Sequence, residues 1–253
     1  MNATAGRRPW QGVLQILRFN WRSYGATTAV IVVALLTAPF LPRLFRAGIM
    51  IGVAPALFWL VSSLLVSHYI YDRFPLYDLH WIPRVLSRVP NRWLNIHCGL
   101  DETSSLLAAI FPAASFDVVD IFDAGVMTEP SIREARRMAH GAIAARPARF
   151  DDLPFDSRSF GAAFCIFAAH ELRHERQRAT LFLEIARVLV PGDDLVLMEH
   201  SRDWWNFLAF GPGFLHFFSQ RAWRRTAAQA GFEVQAELSM TPFVHVYVLR
   251  RTI

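Results

Sequence analysis

Two long apolar runs near the amino terminus constrain this chain more than any other feature. Residues 24–42 contain no charge, and across residues 47–71 the only ionisable groups are His68, Tyr69 and Tyr71. Each run is about the length a helix needs to cross a hydrocarbon layer, roughly 20 residues. The segment "VIVVALL" has no polar face, which argues against a buried helix of a soluble domain. Only residues 42–46 join the runs, so the sequence predicts an antiparallel transmembrane hairpin, about 24–42 and 47–70, inside an N-terminal segment 1–82. Arg7, Arg8, Arg18 and Arg22 precede the first run and Arg73, Arg84, Arg88 and Arg92 follow the second, against Arg43 and Arg46 in the loop. By the positive-inside tendency both termini are expected in the cytoplasm, with the chain as a multi-pass protein of the inner membrane. A signal peptide is the competing reading. It is disfavoured because the first run begins beyond residue 22, lacks a small-x-small cleavage site and is followed by a second run. After the second run, "YIYDRFPLYDLHW" interleaves aromatic and charged residues in a way that suits the lipid headgroup level.

Composition then narrows the chemistry. All 26 basic residues are arginine, and without lysine neither a Schiff base nor a phosphate-loop amine is available. Cys98 and Cys165 show no CxxC spacing and are too few for a disulfide framework, which suits a reducing compartment. The net charge of +5 is carried by scattered arginines, several beside the apolar runs. That pattern points to a membrane surface as partner and not to nucleic acid.

Residues 83–253 alternate between strand and helix patterns. "RWLNI", "SFDVVDIF", "FGAAFCIFAA" and "DLVLMEH" are apolar strand-like runs. Between them, "SSLLAAIFP", "SIREARRMAHGAIAA" and "QRATLFLEIARVLVPGD" have helical spacing, the last stopping at Pro191 and Gly192. "QRAWRRTAAQAGF" adds a helix, and "EVQAEL" and "VHVYVLRR" close the chain as two antiparallel strands. The predicted fold class is α/β, a mostly parallel sheet with helices on both faces, whose ligands sit beyond the carboxyl ends of the strands.

With those elements placed, the strand-turn-helix at 92–111, the acid Asp120 ending the second strand, "LPFDSRSF" before the fourth and "ARVLVPGD" before the fifth resemble the class I S-adenosylmethionine-dependent methyltransferases. The resemblance covers about residues 91–253, is strongest at "ARVLVPGD", and is closest to the small methyltransferase-domain group that includes quinone and lipid methylators. It implies a Rossmann-like sheet and S-adenosylmethionine as cofactor. The family's first motif runs acid, apolar, Gly, x, Gly, x, Gly. Here Asn95 takes the acid's place, His97 the first glycine, Gly99 the middle one and Asp101 the last. Asp120 stands 21 residues after Gly99, the spacing at which an acid holds ribose hydroxyls. The acid that would receive the adenine amine is replaced by Arg149, so Asp151 or Asp152 would have to substitute. Two readings follow: the altered loop holds the cofactor, with His97 and Asp101 taking part, or the fold is a non-catalytic platform. The persistence of Asp120 and of the helix start at "ETS" favours the first.

"HELRH", 170–174, also satisfies the HExxH zinc-protease pattern, with Glu199 available as a third ligand. In the methyltransferase register the same residues fall just after the fourth strand, at the rim of the crevice. His174 is then expected to be solvated and no metal is expected. His170, Glu171 and His200 are the candidate catalytic residues, at strand ends where an oxygen nucleophile would need orientation and a base. Residues 203–218, "DWWNFLAFGPGFLHFF", are long for a connector and are expected to form a lid or substrate wall. The acceptor implied by a membrane-held methyltransferase is lipophilic: a quinone, a polyene or a lipid headgroup.

Overall fold

The structure, a computed structural model, describes residues 8–138 and 143–252. Residues 139–142, within the stretch expected to continue the helix "SIREARRMAHGAIAA", lie outside the described residues.

Helix α1 (Gln11–Phe19) leads into α2 (Trp21–Thr37), and after a single 3-10 turn α3 (Arg43–His68) runs back antiparallel. Among the described residues, Trp21–Phe40 and Arg43–Arg73 are long and apolar enough to cross a membrane, with mean hydropathies of 1.6 and 2.3. Their apolar side chains are largely exposed, unlike those of a core helix. The second helix outlasts the first and ends in a π turn, Tyr69–Arg73. There Asp72 turns back to accept the backbone N–H groups of Gly12 (2.6 Å) and Val13 (3.1 Å), satisfying orphan donors at the start of α1 from 60 residues away. Trp10 stacks on His68 at 3.8 Å beside it.

Beyond α4 (Ile82–Val85) the chain enters the sheet. The strands are β1 (Arg92–His97), β2 (Ser115–Asp120), β3 (Arg146–Pro147), β4 (Phe160–Ile166), β5 (Leu189–His200), β6 (Phe232–Thr241) and β7 (Val244–Arg251). Their order is β3-β2-β1-β4-β5-β7-β6. The first five run parallel, and β7 joins antiparallel to both β5 and β6. The expected Rossmann-like α/β sheet is therefore present, with α5 (Ser104–Ile110), α6 (Pro130–Met138), α7 (Glu175–Val188), α8 (Trp204–Phe210) and α9 (Gln220–Gln229) connecting its strands. The two-residue edge strand β3 carried no periodic signal. Helix α7 ends at Val188, short of the expected stop at Pro191. The residue before a proline is pushed toward extended backbone, and here the chain enters β5 at Leu189.

Two apolar cores flank the sheet. One joins Leu181, Phe182, Ile185 and Trp223 to the strands. The other is built partly from the stretch after α3, with Ile70, Leu76, Leu79 and Ile82 at most 1% exposed against Trp93, Phe164 and Val246. Each such side chain contributes about 1.5–3 kcal/mol when fully buried. The tail of the apolar hairpin is thus part of the sheet's own core, and this fixes where α3 arrives relative to the strand ends.

Candidate active site

The turn after β1 is held by its own side chains. Asn95 donates to Ser104 Oγ (2.8 Å) and Thr103 Oγ1 (3.0 Å), and Asp101 Oδ1 accepts the N–H groups of Thr103 and Ser104 at 3.0 Å each. Asp101 therefore caps the start of α5, because Asn95 already engages the hydroxyls of Thr103 and Ser104. Glu102 is tied to Tyr77 (2.7 Å) and Gln15 (3.2 Å), which anchors the turn to the segment after α3 and to α1. His97 is buried; its Nδ1 accepts the N–H of Gly99 (3.3 Å), its Nε2 has no hydrogen-bond partner among the described residues, and burial holds its pKa below the usual value.

Asp120 ends β2 as expected, and one of its oxygens accepts the N–H of Phe122. The other meets Arg136 Nη1 at 2.6 Å, and Arg136 also donates to Cys98 O at 3.3 Å. Helix α6 thus reaches across the turn: a Cβ on Gly99 would lie 2.9 Å from Ile132 Cδ1 and 3.3 Å from Arg136 Cγ. Asp151 is paired with Arg149 at 2.7 Å on the surface. Asp152 lines a depression with Arg92, Asp117 and Arg187 near the start of β1. Neither joins Asp120, because the chain turns back at 149–152 toward the start of β4.

At the ends of β4 and β5 the structure gathers a second group. His170 Nδ1 lies 2.7 Å from Glu199 Oε2, and His170 Nε2 lies 3.4 Å from Glu171 Oε1. Burial disfavours a charged ring, but the two carboxylates outweigh it, Glu199 foremost, and push His170 up to about 10. The ring is thereby held between two carboxylates, one at each nitrogen. His200 is engaged at both nitrogens: Nδ1 donates to Phe243 O (2.9 Å), leaving Nε2 to accept from Tyr71 Oη (2.7 Å), and burial lowers its pKa to about 4. Glu171, 5% exposed, has one carboxylate oxygen without a hydrogen-bond partner among the described residues. Cys98 and Cys165 are free and buried, and burial pushes both thiols up, away from thiolate chemistry.

HELRH does not form the zinc-protease helix. His170 and Glu171 sit in a 3-10 turn, Ala169–Glu171, while the exposed His174 begins α7 as its cap. The histidine brought to His170 is instead His216, from the 203–218 insertion, with ring centroids 5.2 Å apart. Arg173 fixes this meeting by donating to the carbonyls of His170 (3.1 Å) and His216 (2.5 Å), and Arg202 holds Leu215 and Phe217 at 2.7 Å each. The insertion is docked on α3: Ser62 Oγ donates to Ala209 O at 2.9 Å, and Trp59 packs over Gly211. His216 and Tyr71 lie in stretches the sequence marks as a substrate wall and a headgroup-level segment, and neither is marked there as a site residue.

The family profile described as a methyltransferase domain matches residues 94–197. Over those residues the chain is similar to a methyltransferase domain. Human N-acetylserotonin methyltransferase, solved with S-adenosylmethionine, is similar in structure over 94% of this chain and 70% of its own, with 13% identity and a TM-score of 0.55. The [4+2]-cyclase SpnF aligns over 70% of this chain and 80% of its own, with 16% identity and a TM-score of 0.50. A methyltransferase of Methanosarcina mazei shares 19% identity over 68% of this chain and 97% of its own, at a TM-score of 0.49. No match was found among curated proteins. A fold neighbour named as a cyclase shows that reaction type follows from the site and not from the sheet alone.

S-adenosylmethionine is the ligand with which the human neighbour was solved, and the donor set here has features that suit such a ligand. An acid ends β2, a glycine lies in the β1 turn, and the orphaned His97 Nε2 is a buried donor in need of an acceptor. The fit requires Arg136, a flexible side chain about one-third exposed, to yield the Asp120 carboxylate.

Proposed function

We propose that the protein is a methyltransferase anchored in the cytoplasmic membrane, with its sheet domain in the cytoplasm, acting on an oxygen of a lipophilic acceptor of the quinone, polyene or lipid class. The observation that carries this reading is the continuity between α3 and the crevice. The apolar, exposed helix ends in the turn whose Tyr71 bonds His200, and its Trp59 and Ser62 hold the insertion that delivers His216. A site built onto the end of a membrane helix meets membrane-dissolved molecules at high effective concentration. Exposed Trp204, Trp205 and Leu215 on the insertion add an aromatic surface suited to the headgroup level.

The cofactor, when bound, supplies an electrophilic methyl group that needs an aligned nucleophile more than a strong base. Asp120 would receive the ribose hydroxyls and the backbone at Gly99 would pass beneath the cofactor, with His97 Nε2 donating. The unpartnered oxygen of Glu171 is placed to accept a hydrogen bond from the acceptor's hydroxyl and to orient it. Phe167, Phe210 and Phe217, packed around His200, keep water from the strand ends.

The Arg136–Asp120 pair favours one other reading, a methyltransferase-fold platform that binds no cofactor. Calorimetry of the detergent-solubilised protein with S-adenosylhomocysteine separates the two, binding being expected. Transfer of labelled methyl from S-adenosylmethionine into a membrane lipid extract, and not into a water-soluble extract, tests the acceptor class. Reporters fused at each terminus are expected on the cytoplasmic side and one after Pro42 on the outer side; an external C-terminal reporter would overturn the orientation.

A further inference from the structure

We propose that His170, Glu171 and His216 form a site for one divalent transition-metal ion of zinc-like ligand preference at the carboxyl ends of β4 and β5. One ligand atom from each residue lies within 4.8 Å of the others, and His170 Nε2 is 3.4 Å from Glu171 Oε1. Zinc bonds to nitrogen and carboxylate oxygen are about 2.0–2.2 Å, which places two ligands of one tetrahedral ion about 3.3 Å apart. His170 and Glu171 already stand at that spacing. His216 completes the set with a small inward shift.

Three further features make this a built site and not a chance meeting of polar groups. Glu199, fully buried, grips His170 through Nδ1 at 2.7 Å and through its backbone N–H at 3.2 Å. A carboxylate on the far nitrogen is the usual outer-shell partner of a metal-bound histidine, and it leaves Nε2 as the ligand atom. Glu171 is buried beside the ring with Oε1 toward His170 Nε2, and its other oxygen meets no hydrogen-bond donor among the described residues, so the carboxylate is not spent on another protein group. No hydrogen bond engages the His216 ring among the described residues, although Arg173 and Arg202 fix its backbone and that of its neighbours. Two imidazoles and one carboxylate select borderline ions such as zinc, cobalt or iron(II) over magnesium and calcium, which prefer oxygen ligands throughout. Three protein ligands leave a position open, as catalytic sites of this kind do. The ligand suited to that position is an oxygen of the acceptor. That last assignment rests on the methyltransferase reading, while ion binding itself does not.

The test is a Co2+ titration of chelator-treated full-length protein in detergent, followed by visible absorption, with Zn2+ as competitor. One Co2+ per chain with d–d bands is expected, displaced by one Zn2+. Glu171→Gln keeps the side chain's shape and should weaken Co2+ at least about tenfold. Glu199→Gln should weaken it about 10–100-fold, the usual effect of losing an outer-shell partner. His216→Ala should abolish the bands, with a circular-dichroism melt run beside it to verify folding; if that variant is unfolded, Glu171→Gln decides. His174→Ala should leave binding unchanged. Absence of d–d bands at millimolar Co2+ in folded wild-type protein overturns the site, as does binding that survives Glu171→Gln or is lost in His174→Ala. Calorimetry with S-adenosylhomocysteine on the same samples keeps the readings apart. Ion binding without cofactor binding retains the site and removes the methyltransferase task, and cofactor binding without ion binding does the reverse.

Discussion

Tyr71 Oη lies 2.7 Å from His200 Nε2, joining the turn at the end of the long apolar helix to the last residue of strand β5. The bond fixes the tautomer of His200, whose Nδ1 already donates to Phe243 O. It also makes the hairpin and the sheet end one hydrogen-bonded unit. Tyr71→Phe leaves a buried ring nitrogen without a donor, a loss of about 1–3 kcal/mol. The unfolding midpoint of the purified protein in detergent should fall by several degrees. An unchanged midpoint would mean the hairpin rests on the domain without this contact.

The burial of His200 sets a pH dependence. Its pKa is about 4 in the folded protein and close to the ordinary 6.5 when unfolded, so between those values the unfolded chain binds the extra proton. Stability therefore falls as pH drops from about 6.5 toward 4, by up to about 3 kcal/mol from this group. His200→Gln, which cannot titrate, should flatten that part of a stability-versus-pH curve relative to wild type. A curve of identical slope in the variant would refute the assignment.

If Asp120 takes the cofactor's ribose as proposed, Arg136 and the bound nucleoside would compete for one carboxylate. The Arg136–Asp120 pair is partly exposed, 33% and 20% at the side chains, so breaking it costs no more than about 0.2–1 kcal/mol. Arg136→Gln should then tighten S-adenosylhomocysteine binding by about two- to fivefold in calorimetry. Asp120→Ala should weaken it by about 1.5–3 kcal/mol, the scale of a charge-assisted hydrogen bond. Weaker binding in Arg136→Gln would assign the guanidinium to the cofactor instead.

The sheet is legible in the sequence because its central strands are continuous apolar runs and its helices have one-sided spacing, signals that do not depend on tertiary context. Asp120 is legible for the same reason, as an acid that ends such a run. Arg136 is not, since the polar spacing of α6 does not say which face lies over the β1 turn. His216 is hidden more deeply. It stands 46 residues after His170 and reaches it only because the insertion docks on α3 through Ser62 and Trp59. HExxH draws attention to His174 on the assumption of one continuous helix, and the chain breaks that helix between Glu171 and His174. Local patterns therefore locate the crevice and the groups at its strand ends, but not those that α6 and the insertion bring to it.

The docking of the insertion depends on one glycine. Gly211 has φ +53°, and a Cβ there would lie 2.5 Å from Trp59 Cδ2. Its ψ of −135° falls outside the small left-handed region open to other residues. Gly211→Ala therefore meets both backbone strain, about 1–3 kcal/mol, and a collision with a large ring in α3. The insertion should lift from the helix, exposing Trp59 and loosening the hold on His216. The expected readouts are a lower unfolding midpoint and a red-shifted tryptophan emission. Adding Trp59→Ala removes the collision but not the strain, so the double variant should recover only part of the stability lost in Gly211→Ala. If the single variant melts like wild type, the insertion is not seated on α3 in the folded protein.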